Sequence, residues 1–439
     1  MTAREAALRA LGEYRRTKTW PDNTLDKFTN NMPRREAALA KRLVGGVLQN
    51  MLLCDYYAAG FSSIGLKKLE PRVLDILRLS IYQIVFLTKI PHNASVSEGA
   101  ELASKFANPR ATGFVNAILR KVAEAEEKGK LQEPAGGALR KLSIKYSHPE
   151  WLVGEFCALL GERGAEELLK ANNAADTPAT AQVNTLSSNA DKALAMLKAD
   201  GVEVKKHEWL EDCLVLRGAG NIKKLRAFKD GCIYIQDPAA RLAVMAAGPK
   251  PGDFVIDGCA APGGKSFAAA IAMKNTGRIA AFDIHAARLS LIVEGALRMG
   301  IKIIDVFEKD AAAGQAPHNY ADVVLADVPC SGFGVIRKKP EIRYKTEREV
   351  SGLPDIQQRI LAGLSAYVRP GGTLLYSTCS VLERENEAVV GAFLDGHKEF
   401  RTDGFSLPGV GNSSSGLLTL WPHIHGTDGF FICKMIREL

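Results

Sequence analysis

Apolar residues recur at helical spacing through residues 1–130 of the chain. Thr2-x-x-Glu5 has the form of a capping box, in which two side chains satisfy backbone N–H groups at the start of a helix. A stripe with a period of about 3.6 residues follows it, formed by Ala7, Leu8, Leu11 and Tyr14. Ser95-x-x-Glu98 predicts a second helix start of the same kind. We therefore expect an all-α bundle of five or so helices over residues 1–132.

The hydrophobic pattern changes after a Pro- and Gly-rich stretch at residues 133–137. Over residues 143–245, short β-type runs alternate with helical segments, which predicts a small α+β module. From residue 246 to residue 439, strands and helices alternate as in a Rossmann-like α/β domain, with a parallel sheet covered by helices on both faces. Its strands are expected at residues 253–258, 278–283, 302–307, 321–327 and 372–378.

Two further features are expected near the C-terminus. Leu417 to Trp421 and Gly429 to Met435 flank a turn and predict a closing hairpin. Gly409 to Gly416 is rich in Gly and Ser, so we expect a mobile surface loop there. The predicted fold class is therefore multidomain, with all-α, α+β and α/β parts in that order.

The composition is that of an ordinary globular chain of 439 residues, long enough for two to four domains. No apolar run approaches the ~18 residues of a membrane span, and the N-terminus lacks a secretory apolar segment. The eight cysteines are far apart and lack the Cys-x-x-Cys spacing of zinc sites. We therefore expect a cytoplasmic protein with no metal and no membrane partner. A monomer is also expected.

Positive charge is concentrated in the first third of the chain. Residues 1–145 carry 24 Lys and Arg against 14 Asp and Glu, an excess of ten, whereas the whole chain has a net charge of +8. The remainder is therefore close to neutral. This asymmetry predicts a docking surface for a polyanion such as RNA, although a solvated basic helical surface would have the same pattern.

A glycine-rich turn follows the first expected strand of the α/β part, at Cys259-Ala260-Ala261-Pro262-Gly263-Gly264-Lys265. It is not a nucleotide-hydrolase P-loop, because the first glycine of that motif falls on Cys259, and it does not fit the Gly-x-Gly-x-x-Gly dinucleotide fingerprint. Asp283 ends the next strand and is placed to bind ribose hydroxyls, and Asp310 follows the third strand, near an adenine amino group. A ribose site without a pyrophosphate cradle favours S-adenosylmethionine.

Two cysteines follow strands at the same edge of the expected sheet. Asp327-Val328-Pro329-Cys330 comes after one strand, and Ser377-Thr378-Cys379-Ser380 comes after another. Because ligands bind at the carboxyl ends of parallel strands, the glycine-rich turn and both thiols should face one crevice. That arrangement suits covalent attack on a weakly electrophilic ring, followed by group transfer from the cofactor.

In order and spacing, these motifs resemble those of the RNA cytosine-5 methyltransferases, and the whole chain is most similar to the RsmB/Sun/Fmu branch. Val335 to Ile342 and Asp428-Gly429-Phe430-Phe431 extend the resemblance along the chain. It implies an S-adenosylmethionine-dependent enzyme acting on small-subunit (16S) ribosomal RNA, with an N-terminal NusB-like RNA-binding domain. Val328 stands where this branch usually has alanine, and Tyr344 stands where tryptophan is common.

The resemblance also implies roles for individual residues. Cys379 would be the nucleophile that adds to carbon 6 of cytosine, which makes carbon 5 reactive toward an activated methyl group. Cys330 would help to release the product, and Asp327 would contact ring nitrogen 3 while Lys265 balances the charge. The cofactor would be held by Cys259, Ala260, Ala261, Pro262, Gly263, Gly264, Lys265, Asp283, Arg288, Asp310 and Asp327.

Two further groups of residues are candidates for a functional role: the basic residues after Cys330, and a pair of histidines near the C-terminus. The basic residues after Cys330 are expected to hold RNA phosphates, namely Arg337, Lys338, Lys339, Arg343, Lys345 and Arg348. The target base must be unpaired or flipped out of its stack. His423 and His425 form a His-x-His pair without further evident metal ligands, so we expect a structural role or a place near the substrate.

Two other functions stay open at this point. Catalytic motifs do not name the RNA, so the substrate could instead be transfer RNA or another RNA. The chain could also be a non-catalytic RNA-binding assembly factor that keeps the fold as a scaffold. The intact Asp327, Cys330 and Cys379 argue against that last function.

Overall fold

The computed structural model describes residues 1–17, 21–174, 177–313 and 319–438. Predictions that fall on residues 18–20, 175–176, 314–318 and 439 lie outside the described residues. The chain divides into two compact units. Unit 1 comprises Met1–Asn173 and Lys339–Lys345. Unit 2 comprises Ala174–Lys338 and Thr346–Leu439.

Unit 1 is an all-α bundle in the part of the chain that is described. Its helices are α1 (Ala3–Thr17), α2 (Pro21–Thr29), α3 (Arg34–Gln49), α4 (Met51–Phe61), α5 (Pro71–Phe86), α6 (His92–Phe106), α7 (Pro109–Glu127), α8 (Ala138–Tyr146) and α9 (Glu150–Asn172). Buried apolar side chains at helical spacing, such as Leu43, Ile76 and Leu119, form one core. The predicted bundle is confirmed, but seven helices occupy its described residues up to Glu127, where five or so were expected.

The two predicted capping boxes have different outcomes. Glu5 N donates to Thr2 Oγ1 at 3.2 Å and Thr2 N donates to Glu5 Oε2 at 3.4 Å, so the first box is confirmed. The second is wrong, because α6 begins at His92 and Ser95 is buried inside the helix. Pro91 accounts for the earlier start: its φ of −58° already suits a helix, and its missing N–H costs nothing there.

Arg343 anchors the segment Lys339–Lys345 within unit 1. Its side chain is fully buried, and Nη1 donates to Gln49 O at 2.9 Å, to Asn173 Oδ1 at 2.8 Å and to Tyr146 O at 3.2 Å. Burial lowers the pKa of Arg343 to about 10. The expectation that Arg343 holds an RNA phosphate is therefore wrong, because its donors are used by oxygen atoms of unit 1.

Unit 2 begins with a small antiparallel sheet and helices beside it. Its elements are β1 (Ala179–Val183), α10 (Ala190–Ala199), β2 (Glu203–Lys206), β3 (Cys213–Arg217), α11 (Arg226–Lys229) and β4 (Ile233–Ile235). The strand order is β2-β3-β1-β4, and neighbouring strands run antiparallel. Asn189 starts α10, because its side chain accepts a hydrogen bond from Lys192 N. The predicted α+β character is confirmed for these elements, but α9, which the prediction placed at the start of the same module, belongs to unit 1.

The rest of unit 2 is built around a large sheet. Its elements are α12 (Pro238–Ala247), β5 (Phe254–Asp257), α13 (Gly264–Ala272), β6 (Arg278–Asp283), α14 (Ala286–Met299), β7 (Ile304–Glu308), β8 (Ala321–Asp327), α15 (Glu347–Val350), α16 (Leu353–Ser365), β9 (Val368–Thr378), α17 (Glu387–Gly396), β10 (Phe400–Thr402), β11 (Phe405–Leu407), β12 (Gly411–Ser413), β13 (Leu417–Leu420), α18 (Pro422–His425) and β14 (Phe430–Arg437). The five predicted strands correspond to β5, β6, β7, β8 and β9.

Eight strands form the large sheet, in the order β10-β14-β9-β8-β5-β6-β7, with β13 paired to β14. The five strands from β9 to β7 run parallel, and β14 is antiparallel to β9. Strands buried on both faces have continuous apolar sequences, as Val323 to Ala326 does within β8. The predicted α/β architecture is confirmed, and β13 and β14 form the predicted closing hairpin, with Leu420 opposite Phe430.

Residues 409–416 were expected to form a mobile surface loop; most of them are exposed, and their mobility stays a prediction. They contain β12, which pairs antiparallel with β11, and Leu407 lies opposite Gly411. The φ angles of +72° at Gly409 and +97° at Gly411 are left-handed values that a tight turn favours. The glycines therefore close a hairpin. None of the described helices is long and apolar enough to serve as a membrane span.

Candidate active site

The candidate site lies where the strand order of the parallel sheet reverses. The chain passes outward from β5 to β6 and β7, and then returns to β8 on the other side of β5. Asp257, Asp283 and Asp327 are the last residues of β5, β6 and β8. Open α/β sheets bind ligands at the carboxyl ends of their strands, at this kind of switch point. Three carboxylates therefore end strands at the edge where a ligand is expected.

The glycine-rich turn between β5 and α13 is held in place by main-chain hydrogen bonds. Ala260 N donates to Phe282 O at 2.8 Å, and Gly263 N donates to Ala260 O at 2.7 Å. Gly263 has a φ of +104°, and a Cβ atom there would lie 2.6 Å from the ring of Phe267. Conformation and space therefore both require glycine at this position.

Asp283 supports the same turn from the neighbouring strand. It is only 4% exposed, and its Oδ2 accepts from Ala261 N at 3.3 Å while its Oδ1 accepts from His285 N at 3.0 Å. Arg288 Nη1 lies 3.5 Å from Asp283 Oδ2, and Nη2 donates to Ala261 O at 2.7 Å. Three of the predicted cofactor residues, Ala261, Asp283 and Arg288, thus form one cluster.

Cys259 and Asp310 complete the predicted cofactor set. Burial and the charges of the surrounding carboxylates raise the pKa of Cys259, so its thiol stays protonated and is a poor nucleophile. Asp310 follows the carboxyl end of β7 by two residues, at the edge of the sheet where β5, β6 and β8 also end. It is exposed, and its Oδ1 accepts from Ala312 N at 2.9 Å.

Asp257 lies beneath the turn and is fully buried. Ser266 Oγ donates to its Oδ2 at 2.6 Å. Burial raises the pKa of Asp257 to about 6, with the Ser266 hydrogen bond acting in the opposite direction. Asp257 is therefore a structural group that ties α13 to the end of β5, and near neutral pH it holds a charge that its surroundings disfavour.

Cys330 and Cys379 meet at the ends of β8 and β9. Their Sγ atoms lie 3.2 Å apart, and both residues are partly exposed. The hydrogen bond between them lowers the pKa of Cys379 and raises that of Cys330 well above its usual value. Lys265 also lowers the pKa of Cys379. The pair therefore favours a proton on Cys330 and thiolate character on Cys379, the ionised form that reacts with electrophiles.

Lys265 and Asp327 form an ion pair beside the cysteines. Lys265 Nζ lies 2.7 Å from Asp327 Oδ2, and Ser377 Oγ donates to Asp327 Oδ1 at 2.9 Å. Lys265 Nζ also lies 5.0 Å from the centre of the Phe430 ring. The four residues predicted to be catalytic are thus gathered at one edge of the sheet, although they come from three separate motifs.

Arg337 and Lys338 were expected to hold RNA phosphates, and that prediction is wrong. Arg337 Nε donates to Asp428 Oδ1 at 3.1 Å, and Lys338 Nζ donates to Asp428 Oδ2 at 2.9 Å and also to Asp237. Burial, assisted by the charge of Asp237, raises the pKa of Asp428 to about 6. The two cations are used inside unit 2 because they neutralise two buried carboxylates. Phosphate contacts stay a prediction for Lys339, Lys345 and Arg348.

The sequence reasoning missed Glu385, a buried carboxylate between the two cysteine loops. Its Oε2 accepts from Ser331 N at 2.7 Å, and its Oε1 accepts from Ser380 Oγ at 2.8 Å. Nothing in the local pattern separates Glu385 from Glu383 and Glu387, which are exposed. The only signal was position: Glu385 follows Cys379 by a few residues in a segment that carries three glutamates.

His425 has a structural contact. Its Nδ1 accepts from Trp421 N at 2.9 Å, at the start of the short helix α18, and burial lowers its pKa. Among the described residues, no group of three or more His, Cys, Asp or Glu side chains is arranged to hold a metal ion. The pair was expected either to be structural or to lie near the substrate. For His425, this hydrogen bond is a structural contact.

A parallel sheet with this strand order, a glycine-rich turn after its first strand and a closing antiparallel strand define a Rossmann-like methyltransferase domain. The family model described as "16S rRNA methyltransferase RsmB/F" matches residues 244–436. A NusB family model matches residues 1–124, and an RsmF/B-like ferredoxin-like domain model matches residues 148–223. The chain belongs to the ribosomal RNA small subunit methyltransferase B family.

Individual relatives support this assignment along the full length. A Bacillus subtilis protein named "Probable ribosomal RNA small subunit methyltransferase B" is 36% identical over 453 residues, covering 100% of this chain and 99% of that protein. A Synechocystis protein of the same name is 31% identical, covering 99% of each chain. The crystal structure of PH0851 is 29% identical with a TM-score of 0.81, covering 99% of this chain and 98% of that one.

Proposed function

We propose that this protein transfers a methyl group from S-adenosylmethionine to carbon 5 of a cytosine in small-subunit ribosomal RNA, through a covalent bond between Cys379 and carbon 6. The observation that carries the proposal is the 3.2 Å contact of Cys330 and Cys379 beside the Lys265–Asp327 ion pair. Two thiols with opposite pKa shifts supply one nucleophile and one proton-holding group. The family membership and the names of the relatives favour ribosomal RNA as the substrate.

The residues around the glycine-rich turn fit S-adenosylmethionine. Asp283 presents an acceptor-only carboxylate, which suits the two donor hydroxyls of a ribose. Gly263 has no side chain, and a Cβ atom at this position would clash with Phe267. When bound, the cofactor supplies an electrophilic methyl group. The residues proposed to hold it are Cys259 to Lys265, Asp283, Arg288, Asp310 and Asp327.

The first proposed step uses the thiolate of Cys379. Its addition to carbon 6 pushes negative charge onto the ring, and a proton delivered at ring nitrogen 3 neutralises that charge. The Lys265–Asp327 pair is the group that we propose to carry this proton, with Ser377 holding Asp327 in place. Carbon 5 then has enamine character and can attack an activated methyl group.

The release step uses Cys330. Its pKa is raised first of all by its hydrogen bond with Cys379. Once Cys379 has become a thioether, it no longer presents a negative charge to Cys330, so the pKa of Cys330 falls and its proton can leave to solvent. The Cys330 thiolate then accepts the proton from carbon 5, the ring double bond re-forms, and Cys379 departs as a thiolate. The proton on ring nitrogen 3 returns to the Lys265–Asp327 pair.

Unit 1 is the proposed RNA dock. The first 145 residues carry an excess of ten positive charges, and a NusB family model matches residues 1–124. We propose three functional parts, consistent with the matched models: a NusB-like RNA-binding domain over 1–132, an α+β module over 143–245 and a catalytic domain over 246–439.

Bisulfite sequencing of ribosomal and transfer RNA tests the proposed activity. RNA from cells that lack this protein is incubated with S-adenosylmethionine and either the native chain or Cys379→Ala, and converted cytosines are mapped. We expect one or more protected cytosines in small-subunit ribosomal RNA with the native chain alone. Protected cytosines found only in transfer RNA would show that transfer RNA, and not ribosomal RNA, is the substrate. Equal results for both proteins would contradict a catalytic role for Cys379.

A further inference from the structure

Glu385 is a buried carboxylate that joins three separate parts of unit 2. It is 1% exposed, and its Oε2 accepts from Ser331 N at 2.7 Å and from Gln357 Nε2 at 3.0 Å. Its Oε1 accepts from Ser380 Oγ at 2.8 Å, and its main-chain oxygen accepts from Tyr376 OH at 2.5 Å. Both carboxylate oxygens are therefore used, and they bind hydroxyl and amide donors that carry no charge.

The residues that Glu385 binds stand next to the reacting groups. Ser331 directly follows Cys330, and Ser380 directly follows Cys379. The two serine Oγ atoms lie 3.1 Å apart, in parallel with the 3.2 Å contact of the sulfur atoms. A single side chain thus cross-links the two cysteine loops one residue beyond each thiol.

Gln357 extends the brace to the other end of the Cys330 loop. Its Nε2 donates to Pro329 O at 3.0 Å as well as to Glu385. Cys330 is therefore fixed on its N-terminal side through Pro329 and on its C-terminal side through Ser331. A residue whose backbone is held on both sides by hydrogen bonds loses little further freedom when a reaction needs its side chain in one position.

We propose that Glu385 is a positioning residue, whose carboxylate holds the two cysteine loops in register and thereby sets the reactivity of their two thiols. The inference rests on the covalent mechanism proposed above. Glu385 does not touch the substrate in this proposal and acts through both thiols.

The charge of Glu385 acts on the two thiols unequally. It raises the pKa of Cys330, after the larger effects of the Cys379 hydrogen bond, burial and the Cys379 charge. For Cys379, the charges that act are those of Asp327, Lys265 and Asp428. The titratable groups that face the pair are therefore Lys265, Asp327, Tyr376, Glu385 and Asp428. Among them, Glu385 is bonded to both loops.

The test measures alkylation of the individual cysteines in the full-length protein under reducing conditions. Native chain, Glu385→Gln, Glu385→Asp and Glu383→Gln are treated with iodoacetamide from pH 6 to pH 10, and the peptides that contain Cys330, Cys379 and Cys433 are quantified by mass spectrometry. Glu383→Gln is the matched control, because it makes the same chemical change two residues away on an exposed side chain. Buried Cys433 reports on general loosening of unit 2.

In Glu385→Gln, Cys330 should be alkylated up to about tenfold faster at each pH in this range, because a nearby negative charge that disfavours its thiolate is removed, while Cys433 stays protected. Glu385→Asp keeps the charge but shortens the reach, so it should keep the native rate of Cys330 alkylation and slow covalent addition of Cys379 to RNA by on the order of 100-fold, as expected for a misplacement of about 1 Å. An unchanged Cys330 profile in Glu385→Gln, or an equal change in Glu383→Gln, would overturn the proposal. Alkylation needs no RNA, so this result is independent of whether Cys379 methylates RNA.

Discussion

The Sγ atoms of Cys330 and Cys379 lie 3.2 Å apart although 49 residues separate the two cysteines in the chain. At that distance one proton is shared between them, so the ionisation of either thiol depends on the other. The ends of two adjacent parallel strands, β8 and β9, bring them together. This geometry supports a division of labour in which one thiol attacks a base while its neighbour keeps the proton.

Replacing Asp283 by alanine should weaken cofactor binding by about 1–3 kcal/mol, because the carboxylate would no longer accept hydrogen bonds from a ribose. Calorimetry with S-adenosylhomocysteine measures this change directly. Glu294→Ala is the control, since it removes an exposed carboxylate from α14, the helix that follows β6. If the native chain and Asp283→Ala bind S-adenosylhomocysteine with equal affinity, Asp283 does not bind the cofactor.

The RNA-binding role of unit 1 is best tested in the full-length chain. Deleting residues 1–130 would also remove Gln49, which binds Arg343, so truncation would disturb more than RNA binding. Four exposed basic residues of unit 1 can be changed to glutamine together: Arg34, Arg35, Lys67 and Lys68. RNA affinity should fall, and its salt dependence should become shallower by about 0.7 for each phosphate that is no longer neutralised. Filter binding at several salt concentrations gives both values, and an unchanged slope would contradict the docking role.

Arg343→Ala should destabilise unit 1 by about 3 kcal/mol or more, because several buried oxygen atoms would lose their donor. Hydrogen exchange of peptides around Tyr146 and Asn173 should become faster, since those residues accept from Arg343. Arg348→Ala changes an exposed arginine nearby in the chain and should leave exchange in these peptides unaltered. If both variants exchange alike, Arg343 does not anchor its segment.

Asp257 predicts a pH dependence of stability in unit 2. Its pKa is raised from 3.8 to about 6, so the folded state binds more protons than the unfolded state between these values, and stability falls as pH rises through that window. The total effect is about 3 kcal/mol, of which about 1 kcal/mol lies between pH 5 and pH 8. Asp257→Asn should therefore gain urea resistance relative to the native chain on going from pH 5 to pH 8. A constant difference would show that Asp257 does not titrate in this window.

The sequence predicted the sheet, the turn and the four central side chains because each signal is local. When a motif directly follows a strand, as Asp327 to Cys330 does, it must lie at the carboxyl end of that strand. In a parallel sheet, all such ends lie at one edge. The interactions that were missed join residues distant in the chain. Ser331 and Glu385 are 54 residues apart, and Lys338 and Asp237 are 101 residues apart.

The basic residues after Cys330 also show why local sequence cannot predict long-range contacts. A run of cations predicts a phosphate surface, since exposed charge is the usual state of Lys and Arg. Arg343 is instead buried against oxygen atoms as far as 294 residues away, and Arg337 pairs with Asp428, 91 residues along the chain. Local composition carries no information about partners that arrive only when the chain folds, so no local rule could separate these cations from Lys339 or Arg348.

The central claim is that Cys379 forms the covalent bond and Cys330 is needed to break it. Native chain, Cys330→Ala and Cys379→Ala are incubated with small-subunit ribosomal RNA and S-adenosylmethionine, and denaturing gels are used to detect protein–RNA adducts. Cys330→Ala should accumulate an adduct that resists denaturant, because methyl transfer proceeds but release is slow, and Cys379→Ala should form none. An adduct that builds up in Cys379→Ala and is absent from Cys330→Ala would contradict the account by reversing the two roles.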